Sequence, residues 1–100
     1  MPRLTNAQKE RLDLVQEECA EIIQSVSKIR RFGYNSKSPL KPDGPTNKEH
    51  LEIEIGGLCA ILDLLVQAGE ISEDNCEAAQ ILKSDNIGMY TKYQEVKEID

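Results

Sequence analysis

One hundred residues, 39% hydrophobic and 30% charged, make one small domain near the lower end of comfortable core size. A net charge of −6 excludes the basic stripe that a nucleic-acid polymer demands, but not a free nucleotide whose phosphates Mg2+ bridges to carboxylates. No apolar run approaches the roughly 20 residues of a membrane span, and the opening MPRLTNAQKERLD is too polar for a secretory leader.

The three cysteines, Cys19, Cys59 and Cys76, show no CxxC spacing. Each sits among helical apolar residues, so they read as buried reduced thiols in a cytoplasmic protein.

In chain order, Thr5 followed by Gln8 is a capping box that opens a first helix over about 5–32. Leu12, Val15, Cys19, Ile22, Ile23, Val26 and Ile29 recur along it at steps of three and four, and Gly33 supplies the stop. The stretch GYNSKSPLKPDGPT, residues 33–46, holds three prolines and two glycines and forms a loop. At that length it is either disordered or functional. Thr46 and Glu49 make a second capping box, opening a helix over about 47–68 with Leu51, Ile55, Leu58, Leu62 and Leu65 on one face. Ser72 caps a third helix over 73–84, and a last segment spans 86–95 around Gly88. The tail VKEID is expected to fray. No strand signal or repeat is present, so the fold class is all-α.

On the wheel of the first helix, Glu18 lies at the edge of the apolar stripe beside Ile22 and Ile29. Glu21 is its neighbour at i, i+3, and Glu17 lies further towards solvent. Like charges at that spacing repel, and a divalent cation is the simplest compensation. Taken alone, this EExxE reads equally as a solvated helix face. On the second helix Glu54 lies at the margin of the apolar face, with His50 one turn earlier, so it can face Glu18 and Glu21 from an antiparallel neighbour. Asp63, about half a turn out of phase, cannot join it. Gly56-Gly57 in mid-helix costs roughly 1 kcal/mol per residue relative to Ala, and serves either close helix approach or room for a ligand. Lys28, Arg30 and Arg31 cluster at the end of the first helix, where they either complement its dipole or steady phosphates. Tyr34, Tyr90 and Tyr93 read as core or interface packing more readily than as base-stacking groups.

The combination of EECAE (17–21), SKIRRFG (27–33), a Pro/Gly-rich loop and NKEHLEIEIGG (47–57) resembles the MazG-like, all-α nucleoside triphosphate pyrophosphohydrolases, in particular the short single-domain phage and bacterial type. The likeness covers residues 10 to about 66. It implies an antiparallel helical bundle completed as a homodimer or homotetramer, and hydrolysis of an NTP or dNTP to the monophosphate and pyrophosphate with Mg2+, or Mn2+, as cofactor. By the same resemblance Glu18 and Glu21, the second and third Glu of EExxE, and Glu54 of ExxD are metal ligands. Glu17 acts beside them, in a second layer or on the attacking water. Lys28, Arg31, Lys83, Asn86 and Lys92 are the substrate-binding candidates, and His50 is an auxiliary one. The Asp of ExxD falls on Gly57. A water or His50 then fills the gap, or, on the alternative reading, the chain is a catalytically weak or inactive helical dimer that binds nucleotides or a partner protein.

Overall fold

The structure, a computed structural model, describes residues 3–94. Four helices follow one another: α1 (Asn6–Phe32), α2 (Asn47–Gln67), α3 (Glu73–Asp85) and α4 (Ile87–Tyr90). No strand occurs among the described residues, and no helix there is long and apolar enough to cross a membrane. The chain divides into two compact units, 1–65 and 66–100.

In the first unit, local chemistry sets the helix ends. The Thr5 side chain accepts from the Gln8 amide while the Gln8 side chain accepts from the Thr5 amide, closing the capping box. At the other end Gly33 adopts φ 90° and donates its N–H to the Ile29 carbonyl. That φ lies where L side chains are strained, so glycine ends α1. Thr46 and Glu49 repeat the reciprocal arrangement at the start of α2, and these bonds with Thr46 hold the Glu49 carboxyl below its ordinary range.

The intervening loop is built rather than loose. Lys37 and Thr46 pair in an isolated antiparallel bridge. The amides of Asn47 and Lys48 donate to the carbonyls of Ser36 and Tyr34. The buried Asn47 side chain donates to the Gly33 carbonyl at 3.0 Å. These bonds fasten the start of α2 to the end of α1, so that the two helices run back along each other.

In the second unit the Ser72 side chain caps α3 by accepting from the Asn75 amide at 3.2 Å. Asn86 closes α3, its side chain donating to the Leu82 carbonyl. The last segment is shorter than its expected span to 95, because Thr91 is extended (φ −133°, ψ 160°) and ends α4 after Tyr90. Residues 95–100, including the tail expected to fray, lie outside the described residues.

Among the described residues the expected core is largely uncovered. Leu65, 4% exposed, is the buried hydrophobic residue of the described chain, and the other buried side chains are polar, Ser25 and Asn47. Leu12, Val26, Ile55 and Leu62 occupy the helical positions that the sequence pattern marks as core, yet they are exposed. The three thiols are free and exposed rather than buried, and Tyr34, Tyr90 and Tyr93 are exposed rather than part of a core within the chain. The physical reason is common to all of these. A 3.6-residue period aligns such residues on one side of a helix but supplies no surface to cover that side.

Candidate metal centre

Antiparallel placement of α1 and α2 brings three of the acidic side chains together. One carboxylate oxygen from each of Glu18, Glu21 and Glu54 lies within 4.8 Å of the others, and all three residues are partly buried. Glu18 and Glu21 share a flank of α1 because they are three residues apart, and Glu54 meets them from α2. Glu17, on the same helix, is exposed and stands outside the group, in line with its place on the wheel.

Position 57 decides how Glu18 sits. A Cβ built on Gly57 would lie 2.8 Å from Glu18 Oε2, 3.0 Å from its Cδ and 3.1 Å from Oε1. The Glu18 carboxylate therefore occupies the space that a side chain at 57 would need. Gly56, by contrast, faces open space. Of the two mid-helix glycines, then, one is explained by a carboxylate seated against the helix backbone.

The electrostatics of the group are unfavourable as they stand. Glu54, with its side chain 14% exposed, has its carboxyl pushed up to about 7. Its hydrogen bond with Glu21 is the largest cause, followed by removal from water, a hydrogen bond with Glu18 and the two neighbouring negative charges. A carboxyl whose pKa is raised on folding favours the folded state below its unfolded value, near 4.5. That stability is lost as pH rises through about 7. His50 Nδ1 stands 3.9 Å from Glu54 Oε1, half exposed, and relieves the repulsion only when protonated.

One oxygen remains unanswered. Glu18 Oε2 is buried and has no hydrogen-bond partner, alone in this respect among the described side chains. Buried polar atoms are nearly always satisfied, and an exception calls for an explanation such as an ion. Three hard oxygen donors on two helices, one of them orphaned, fit a Mg2+ or Mn2+ ion, which takes carboxylates and fills its remaining positions with water and phosphate.

The basic candidates divide. Lys28 lines a cavity of about 260 Å³ between the end of α1, the loop and the start of α2, together with Lys37, Lys41 and His50. Arg31 stacks instead over the Phe32 ring, 5.3 Å from its centroid. Lys83, Asn86 and Lys92 belong to the second unit, where their partners are local: Lys83 Nζ lies 4.2 Å from the Tyr90 ring centroid, Asn86 caps α3, and Lys92 Nζ lies 5.6 Å from the Tyr93 ring centroid. Sequence reasoning passed over Lys37 and Lys41. Their signal was present in a long proline-rich loop that carries two lysines, at positions 37 and 41.

No protein-family model, no curated protein and no solved structure matches this chain.

Proposed function

We propose that the chain is a Mg2+-dependent nucleoside triphosphate pyrophosphohydrolase of the MazG-like kind, releasing a monophosphate and pyrophosphate from an NTP or dNTP. The observation that carries this reading is the convergence of Glu18, Glu21 and Glu54 around an orphaned carboxylate oxygen. It coincides with the three positions that the sequence resemblance marks as metal ligands.

In this reading Glu18, Glu21 and Glu54 hold the ion. Once bound there, a Mg2+ ion supplies neutralisation of triphosphate charge and a more acidic water. The chain's own groups do the remaining work. Glu18 is fixed by its seat against Gly57. The Glu54 carboxyl, pushed up to about 7, would give up its proton to a bound cation. Glu17, exposed and outside the group, is assigned to the water. Lys28 offers positive charge for the phosphates at the far end of α1. With Gly57 in place of Asp the set has three carboxylates rather than four, and the Glu18 carboxylate lies against position 57.

Oligomerisation belongs to the same proposal. One buried hydrophobic residue cannot offset the conformational entropy of ordering some 90 residues. The exposed apolar stripes, among them Ile23 at 70% and Ile53 at 60% exposure, are therefore assigned to a second copy of the chain, as a homodimer or homotetramer.

The test is pyrophosphate release from a panel of NTPs and dNTPs with Mg2+ or Mn2+, on a sample whose mass is read by sedimentation. Equimolar monophosphate and pyrophosphate from a dimer or tetramer is the expected result. Orthophosphate with diphosphate would contradict the reaction. Metal binding without turnover would favour the inactive, nucleotide-binding alternative.

A further inference from the structure

The loop 33–46 does more than join two helices. Its cavity of about 260 Å³ is lined by Lys28 from α1, Lys37 and Lys41 from the loop and His50 from α2, over Phe32 and Pro45. No lining residue is an Asp or Glu, in a chain with 18 acidic and 12 basic side chains. Positive charge is thus gathered where the composition makes it scarce. The volume lies a little below the roughly 300 Å³ at which small-molecule sites begin, which suits a phosphate chain better than a whole nucleotide.

The pocket is also held in shape and placed. The Lys37–Thr46 bridge, the Asn47 amide on the Ser36 carbonyl and the buried Asn47 side chain on the Gly33 carbonyl fix its walls. Lys37 acts electrostatically on Glu49 as well, but that carboxylate is already engaged by the Thr46 amide and hydroxyl. His50 lines the pocket and lies one helical turn, about 6 Å of rise, before Glu54. Lys28 lies two turns, about 10 Å, beyond Glu21. The pocket thus lies about one to two helical turns from the three carboxylates along α1 and α2.

We propose that this pocket is a phosphate-anion site, with Lys37 and Lys41 as binding residues that take the phosphoryl groups of the nucleotide or of released pyrophosphate. The identity of that anion rests on the pyrophosphohydrolase reading; the pocket itself does not. Lysine ammoniums bind phosphate as point charges without a metal, so the site operates in chelator, and its affinity falls with salt.

The experiment titrates inorganic pyrophosphate in EDTA into the full chain, following backbone amide shifts of residues 33–50. Saturable shifts are expected in the natural chain and in Glu18→Gln/Glu21→Gln. At least tenfold weaker binding is expected in Lys37→Met/Lys41→Met, whose side chains are exposed and whose loss leaves the fold intact. Displacement of pyrophosphate by a non-hydrolysable NTP analogue identifies the substrate's phosphates as the occupant. Analogue binding without displacement identifies the free product. Absence of saturable shifts in the natural chain, or equal affinity in the lysine variant, would overturn the proposal. Pyrophosphate binding in a chain that hydrolyses no nucleotide would leave the pocket standing and remove the enzymatic reading, so the two failures are distinct.

Discussion

On the proposed pyrophosphohydrolase activity, replacing Glu18 and Glu21 together by Gln lowers kcat/KM by about a thousandfold or more, equivalent to about 4 kcal/mol of transition-state stabilisation. Gln keeps the size of each side chain but removes two of the three anionic donors that converge within 4.8 Å, and hard divalent cations bind neutral amide oxygens far less well in such a set. The metal-free fold moves the opposite way. With two like charges gone, the repulsion within the group is relieved, and the melting temperature in EDTA rises. Comparing activity with thermal unfolding in chelator therefore separates loss of the site from loss of the fold. A variant that retains more than a tenth of the activity would show that these carboxylates are a solvated helix face.

Gly57→Ala has the second large effect. The new methyl would stand 2.8 Å from Glu18 Oε2, closer than real Cβ contacts allow, while the atom it meets is the end of a flexible side chain. The carboxylate swings away and the backbone stays. Helix propensity then favours the variant by about 1 kcal/mol, which raises the metal-free melting temperature by about 4–8 °C in a domain of this size. Affinity for Mg2+ falls at least tenfold, because Glu18 no longer points into the group. Stability up with metal affinity down is a signature that general damage to the fold does not produce. Unchanged Mg2+ affinity would show that the seat at Gly57 does not position Glu18.

The helices and their caps were legible in the sequence because they are set locally. Thr5 with Gln8, Thr46 with Glu49, Ser72 and Gly33 act on neighbours within a few residues, and all of them serve as helix starts or stops. The grouping of Glu18, Glu21 and Glu54, with Glu17 outside, was legible for a related reason: helical phase fixes which flank a side chain occupies. What the sequence did not disclose depends on the third dimension. Gly57 read as a missing ligand, whereas the space belongs to Glu18, a residue 39 positions away. Lys37 and Lys41 read as loop lysines until the loop's hydrogen bonds gathered them with Lys28 and His50. Burial was misjudged for Leu12, Val26 and the three cysteines, since periodicity identifies an apolar face without naming what lies against it.

The metal site is settled by one measurement: thermal unfolding of the natural chain and of Glu18→Gln/Glu21→Gln against Mg2+ concentration, at pH 6 and pH 8. Without metal, the natural chain is less stable at pH 8 than at pH 6, because ionising Glu54 through about 7 brings three negative charges together. Metal binding needs those carboxylates ionised, so the stabilisation by Mg2+ is larger at pH 8. It grows with the logarithm of concentration, reaching about 2.7 kcal/mol at a hundredfold excess over Kd, and it is absent from the double variant. A melting temperature indifferent to Mg2+ at both pH values, or a shift of equal size in the variant, would contradict a cation site at Glu18, Glu21 and Glu54.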